Sequence, residues 1–431
     1  MKNILIIFFS GVIATMAQTE MSVEDVIKLG LRNNYDIRIA RNNAEIATNN
    51  RALGTAGFMP ALDAGGGYQL SRSEQKTNSP FSFGNSDNEN LTGQIQLSWT
   101  LFDGFRMFTE RKRFNQLADL GQYQARNVIE NTVVAILRAY FNLVQQEQLL
   151  EVAANTLAIS ESRLSKEKVR NELGGASSTD LLNARVSFNN DRAVLLSQQL
   201  NVEIARKDLN IILGREPMEP IAVAKNILLI PLEMTYDDIL SLAMERNSTI
   251  VIARQNLSIA RQNQSLTRSP LMPRLAFNSS YVYGDRTVDS ESRGEINTKS
   301  TDWAAGLTLS WNLFNGFRNR VDIQNSKIEL TNRELALRNE ENRLAGLVRE
   351  KYDNYLKRVE LVALEEENVL AAEQNLQLQQ DRYQIGATSS LEFRDAQVNL
   401  ARASNALIVA RYQARISRLE IDQLIGNIVI E

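Results

Sequence analysis

The feature that most constrains this chain is a duplication that stays in register over nearly its whole length. Residues 97–106 read LSWTLFDGFR and residues 309–318 read LSWNLFNGFR. MSVEDVIKLGLRNNYDIRIARNN from Met21 aligns with MTYDDILSLAMERNSTIVIARQN from Met234, and GFMPALDAGGGY ending at Tyr68 aligns with PLMPRLAFNSSY ending at Tyr281. RNELGGASSTDLLNARV from Arg170 then matches RYQIGATSSLEFRDAQV from Arg382, and LNIILG ending at Gly214 matches IDQLIG ending at Gly426. The offset holds at 212 or 213 throughout. A period of roughly 20–50 residues would mean a solenoid, whereas one this long means a single large unit copied once. The repeated phrase therefore marks equivalent points of a duplicated fold, not a ligand motif used twice.

Each copy reads as a helix, two strands and two much longer helices. Helical spacing runs from about Ser22 to Gly57 and stops ahead of Pro60; its counterpart stops before Pro270 and Pro273. All seven prolines lie at 60–80, in 217–231, or at 270 and 273. Proline breaks helix interiors, so its absence elsewhere permits very long helices. The expected layout is a first repeat over 18–214, with strands about 61–72 and 91–102 and long helices about 105–173 and 178–213. A linker over 215–233 follows, whose prolines suggest extended chain crossing a surface. The second repeat covers 234–431, with strands about 274–284 and 303–314 and long helices about 317–385 and 390–425. At 1.5 Å per residue the longest helices would span on the order of 100 Å, a length suited to a coiled-coil assembly.

The strand segments alternate. Leu62, Ala64, Gly66, Tyr68 and Leu70 share a face opposite Asp63, Gln69 and Ser71, and Leu91, Ile95, Leu97, Trp99 and Leu101 oppose Thr92, Gln94, Gln96, Ser98 and Thr100. In the second copy Leu275, Phe277, Tyr281 and Tyr283, then Trp303, Leu307, Leu309 and Trp311, form the apolar face. Strands of about ten residues with one apolar face and aromatic ends fit a membrane β-barrel. A soluble antiparallel sheet packed on helices alternates in the same way. The polar stretches SEQKTNSPFSFGNSDNEN and DRTVDSESRGEINTKS read as long outward loops. Four strands per chain cannot close a barrel, since the smallest membrane barrels need about eight, and open edges cannot sit in lipid. The barrel would have to be shared among chains.

The start, MKNILIIFFSGVIATMAQTE, carries Lys2 before an apolar run and small residues near Ala17, the pattern of a signal peptide over 1–17. With no cysteine and no histidine, Cys/His zinc sites, thiol nucleophiles, disulfides and histidine bases are excluded. Neither a cofactor-binding fingerprint nor a metal cluster is present, and a net charge of −3 argues against a nucleic-acid partner. Ser165-Lys166-Glu167-Lys168 offers a Ser-x-x-Lys spacing, but it falls mid-helix in a charged run that reads as a solvated face. An enzyme is not expected.

Taken with their order, twice over, the proline turns GFMPAL and PLMPRL, the LSW-x-LF-x-GFR phrases and the Gly-Ala-(Ser/Thr)-Ser turns at 174–178 and 386–390 resemble the TolC-like outer-membrane efflux proteins over essentially the whole mature chain. The resemblance implies an α+β membrane protein: a homotrimer with a twelve-stranded transmembrane β-barrel, four strands per chain, above a long α-helical coiled-coil barrel reaching through the periplasm. It implies a passive exit duct in the outer membrane of a Gram-negative bacterium, contacting outer-membrane lipid. The partners implied are a periplasmic adaptor (a membrane fusion protein) and, through it, an inner-membrane pump of the RND or ABC type. The rival reading is a soluble periplasmic coiled-coil scaffold, which would show one hairpin and a separate small β-domain.

The far ends of the long helices are then the entrance. Gly174 and Gly386 suit helix C-termini, and Ser177 with Asp180, like Ser389 with Glu392, has capping-box spacing. Glu392 and Asp395 share a helix face and could form an acidic ring, as the family's paired aspartates do, or merely complement the helix dipole; the first repeat offers Asp180 and Asn183 there. By the same resemblance Tyr383 helps keep the entrance closed through interchain hydrogen bonding, while Thr388 replaces an arginine of the closing network. The turns Gly174, Gly175, Ala176, Ser177 and Gly386, Ala387, Thr388, Ser389 match the tips that receive the adaptor. Trp99, Trp311, Trp303, Tyr68 and Tyr281 are candidates for aromatic belts at the membrane interfaces.

Overall fold

The computed structural model describes residues 20–74, 85–291 and 293–428; the expected signal peptide and the tip of the first strand hairpin lie outside the described residues. In chain order the elements are α1 (Val23–Asn33), α2 (Tyr35–Asn49), β1 (Ala61–Ser73), β2 (Ser86–Asp103), α3 (Arg106–Glu172) and α4 (Ser178–Ile212). The second copy gives α5 (Tyr236–Arg246), α6 (Ser248–Leu266), β3 (Arg274–Ser290), β4 (Gly294–Ser310), α7 (Arg318–Gln384) and α8 (Ser390–Leu424). The chain divides into two units. One comprises the chain up to Ala40, Arg126–Asn247 and the chain from Arg343; the other is Arg41–Ala125 with Ser248–Asn342.

The helix expected over 22–57 is two helices. Asn34 interrupts it because its side chain serves both neighbours: Oδ1 accepts from the Ile37 amide at 3.1 Å, and Nδ2 donates to the Ile212 carbonyl at 2.7 Å. A side chain that caps a helix competes with continuing it. Asn247 repeats the device, donating to the Leu424 carbonyl at 3.1 Å. Ser22 with Asp25, and Thr235 with Asp238, begin α1 and α5 with complete capping boxes. The first unit's core gathers Val26 of α1, Ile136, Tyr140 and Leu143 of α3, and Leu209 and Leu213 at the end of α4. Linker residues Ile221, Val223 and Ile227 complete it, and Met21 pairs with the linker through its amide to the Ala222 carbonyl at 2.9 Å. Each such fully buried aliphatic side chain stabilises the fold by about 1.5–3 kcal/mol.

In the second unit the strands form one antiparallel sheet in the order β1-β2-β3-β4. Its central pairing, β2 with β3, joins the two repeats. The register brings the apolar positions to one face: Leu62 opposite Leu97, Ile95 opposite Tyr281, Tyr281 opposite Trp303, and Trp99 opposite Phe277, itself opposite Leu307. The strands are longer than expected. DRTVDSESRGEINTKS is mostly not a loop; Arg286 pairs with Thr298 and Val288 with Ile296, leaving a short turn between Ser290 and Gly294. The Thr and Val positions there suit a pleated surface, and polarity alone hid them. Among the described residues β1 and β4 are each paired on one side only.

The duplicated phrase is the strand-to-helix joint. Asp103 caps α3 by accepting from the Met107 amide at 3.1 Å, and Asn315 accepts from the Asn319 amide at 3.4 Å ahead of α7. Between cap and helix the backbone is left-handed at two successive residues, Gly104 (φ 69°) and Phe105 (φ 66°), and again at Gly316 (φ 68°) and Phe317 (φ 66°). Glycine enters this region freely. A phenylalanine held there costs about 1–3 kcal/mol, which only a firmly determined surrounding sustains.

Candidate functional site

The two long hairpins end in tips of the same construction. Gly174 (φ 78°) and Gly386 (φ 75°) close α3 and α7, with Gly175 bonded back to the Arg170 carbonyl at 2.7 Å and Ala387 to the Arg382 carbonyl at 2.8 Å. Ser177 and Asp180 form the capping box of α4, Ser177 Oγ donating to Asp180 Oδ2 at 2.7 Å. At α8, Glu392 Oε2 accepts from the Ser389 amide at 3.0 Å and lies against the Thr388 hydroxyl. That hydroxyl, together with the Ser389 donors, holds the Glu392 pKa below the usual carboxylate value. Glu392 and Asp180 are therefore engaged as caps, and Thr388 supports its own turn. Asp395, one turn on, is exposed and makes no side-chain hydrogen bond or ion pair among the described residues. Of the sequence-predicted carboxylates it is the one left wholly to solvent.

Within the chain Tyr383 is buried between the two hairpins. It is 5% exposed, stacks on Phe393 with ring centroids 5.0 Å apart, and donates to Glu167 Oε1 at 2.5 Å. Glu167, read above as part of a solvated face, is 1% exposed. The sequence pattern fails here because α7 covers this stretch of α3, and only the tertiary arrangement supplies that cover. Burial first, then the neighbouring carboxylate, pushes the Tyr383 pKa up to about 12. Arg170 stands 3.6 Å from Glu167.

A polar layer missed by the sequence reading surrounds this pair. Arg394 of α8 makes a two-pronged ion pair with Asp191 of α4, at 2.6 and 2.7 Å. Gln397 donates to the Thr156 carbonyl at 2.7 Å, and the buried Arg163 donates to the Ser390 carbonyl at 3.2 Å. One signal was available. In the other copy the equivalent positions are neutral: Asn171 for Tyr383, Gln379 for Glu167, Leu182 for Arg394 and Ala403 for Asp191. Each pair thus joins one residue of the first repeat to one of the second, and neither pair has a counterpart at the equivalent positions, so the contact between the hairpins is asymmetric.

The aromatic candidates all lie on the sheet's apolar face or at its foot, and all are exposed. Trp99 and Trp311 are tied at the joint, their indole N–H groups donating to the Phe58 and Leu271 carbonyls at 3.0 and 3.1 Å. Tyr281 pairs directly with Trp303 further along, and Tyr68 with Leu91. Trp303 and Trp311 are separated by about 26 Å of extended chain at 3.3 Å per residue, comparable with the roughly 25 Å apolar band of a membrane barrel once strand tilt is allowed for. No helix among the described residues is long and apolar enough to cross a membrane.

Comparison with known proteins agrees with this geometry. The family model described as outer membrane efflux protein matches residues 26–215 and 239–427, once per repeat. The outer membrane protein TolC of Vibrio cholerae is 21% identical over 432 residues, covering 99% of this chain and 96% of that protein. The toluene efflux pump outer membrane protein TtgC of Pseudomonas putida is 24% identical, covering 94% and 83%. Among solved structures, the CmeC outer membrane channel of Campylobacter jejuni superposes with a TM-score of 0.79 at 15% identity, covering 94% of this chain and 85% of that one. The family spans both repeats and the sheet between them, which overturns the soluble-scaffold alternative. The chain belongs to the outer membrane efflux protein family and is an outer-membrane efflux channel.

Proposed function

We propose that three copies of this chain close a twelve-stranded barrel in the outer membrane, continued by their long helices as a periplasmic duct whose entrance is the two helical tips. The unpaired edges of β1 and β4 carry this reading. A sheet with an apolar outer face cannot leave edges open in lipid, and four strands per copy make twelve in a trimer. The α4 helix supports it with an exposed apolar series, Leu182, Val186, Leu196, Leu200 and Ile204, at spacings suited to a neighbouring helix.

The duplication supports one register for the joint between copies. Within the chain Ile95 faces Tyr281 across β2 and β3; their repeat equivalents are Leu307 on β4 and Tyr68 on β1 of the next copy. Because the chain has no cysteine, Leu307→Cys with Tyr68→Cys should give a disulfide-linked trimer under mild oxidation. Leu307→Cys with Gly66→Cys, two residues out of register, should link far less. Monomeric behaviour in mild detergent would refute the assembly, and preferential linking of the shifted pair would refute the register.

At the entrance, Asp395 supplies the acidic ring with Glu392 behind it, and Tyr383 with Glu167 holds the second hairpin against the first. Asp395→Asn should shift the reversal potential in a salt gradient toward zero and abolish cation preference. Glu392→Gln, which still caps α8, should reduce it less. Equal loss from both would mean that Glu392 faces the path as fully as Asp395. The small residues Gly174–Ser177 and Gly386–Ser389 would receive the hairpins of a periplasmic adaptor, with an RND or ABC pump behind it supplying energy and substrate. The residues lining such a duct sort permeants by size and charge.

A further inference from the structure

Arg163 belongs to the polar layer around Tyr383 and Glu167, yet its guanidinium is only partly satisfied there. It sits on α3 with 3% exposure. Its Nη1 reaches the Ser390 carbonyl at 3.2 Å, while Nε and Nη2 are buried without a hydrogen-bond partner among the described residues. A buried donor left unmade is costly, and a buried guanidinium without a carboxylate more so. The carboxylates around it are engaged elsewhere: Asp191 by both prongs of Arg394, and Glu167 by Tyr383, with Arg170 nearby.

Glu167 nevertheless lies four residues along the same helix, the spacing at which an arginine and a glutamate meet across one turn. That reach depends on α3 alone and survives any movement of α7 and α8. The two groups that keep the pair apart, the Tyr383 hydroxyl and the Ser390 carbonyl, stand at the end of α7 and the start of α8, either side of one short turn. A single displacement of that tip removes both. The equivalent positions of the other repeat, Asn375 and Gln379, carry no charge, so the duplicated fold does not require the pair.

Resting on the reading of Tyr383–Glu167 as the entrance latch, we propose that Arg163 is the second position of that latch. When the tip moves and Tyr383 leaves Glu167, the Arg163 guanidinium takes the freed carboxylate and holds the released arrangement. The present arrangement carries unmade donors that the released one satisfies, so the entrance has two settled positions. Arg163 is a positioning residue, acting on the tip through Glu167.

Single-channel recordings in planar bilayers on the full-length channel test this with four variants. Tyr383→Phe should raise open probability. Arg163→Gln alone should stay near wild type, since the latch still holds. In the Tyr383→Phe background, Arg163→Gln should reverse most of the gain, about tenfold in the open-to-closed ratio, the size of effect one charge-assisted hydrogen bond supplies. Arg163→Lys in that background should keep the gain, because lysine also pairs with glutamate at this spacing. Arg163→Gln opening the channel by itself would make the residue a strut and overturn the proposal. So would a Tyr383→Phe channel that opens but is indifferent to Arg163. A Tyr383→Phe channel that does not open at all would instead overturn the latch reading beneath it.

Discussion

Gly104→Ala should leave little folded channel, whereas Gly316→Ala should yield a folded chain that fails to assemble. Both glycines are left-handed, so alanine costs about 1–2 kcal/mol at either from backbone conformation alone. Their surroundings differ. A Cβ on Gly104 would lie 2.4 Å from the Ser269 carbonyl oxygen and 2.7 Å from Met272 Cβ, while one on Gly316 meets nothing within 4 Å among the described residues. Ser269 and Met272 belong to the entry into β3, which packs over the first joint; being partly backbone, they cannot step aside. Through the repeat, the segment equivalent to theirs is Ala56–Met59, and in a closed trimer the next copy would bring it over Gly316. The same substitution thus strikes inside the chain at one joint and between chains at the other. Native gels of outer-membrane extracts would separate the outcomes: a loss of all folded species for Gly104→Ala, and monomer in place of trimer for Gly316→Ala. Wild-type assembly of Gly316→Ala would show that no neighbouring segment covers that joint.

The contrast also shows what the sequence could and could not reveal. The duplication, the long proline-free helices and the alternating strands were legible because each rests on a periodicity or a single breaker residue acting locally. The helix break at Asn34 was not, because the local cap on Ile37 is joined by a bond to the end of α4, far along the chain, that no local pattern contains. The strand extensions around Val288 and Ile296 were hidden because their polar neighbours read as loop. At the entrance the capping boxes were readable from Ser-x-x-acid spacing, and the same spacing accounts for Glu392 being tied as a cap. Tyr383 could be flagged but not paired. Glu167 lies in a charged run, and its burial follows from which helix covers it, a fact that no window of sequence contains.

That buried pair gives the largest functional effect expected. Tyr383→Phe removes the hydroxyl that reaches Glu167 at 2.5 Å while keeping the ring on Phe393, so packing is preserved and the latch alone is lost. A hydrogen bond to a buried charge contributes about 1.5–3 kcal/mol, enough to shift the balance between held and released entrance by about tenfold or more. Alkali should do to the wild type what the mutation does at neutral pH. The folded-state pKa of Tyr383 is raised from 10.0 to about 12, so the folded arrangement favours the protonated, donating phenol. Its contribution is complete below pH about 10 and is lost as pH rises through about 12, where a phenolate would face Glu167. Conductance of the wild type should therefore climb across that window, while Tyr383→Phe, already released, should show no rise there. A wild-type channel whose conductance stays flat to pH 12 while Tyr383→Phe opens at neutral pH would mean that the hydroxyl sets the latch but keeps its proton through that window, overturning the pH dependence alone.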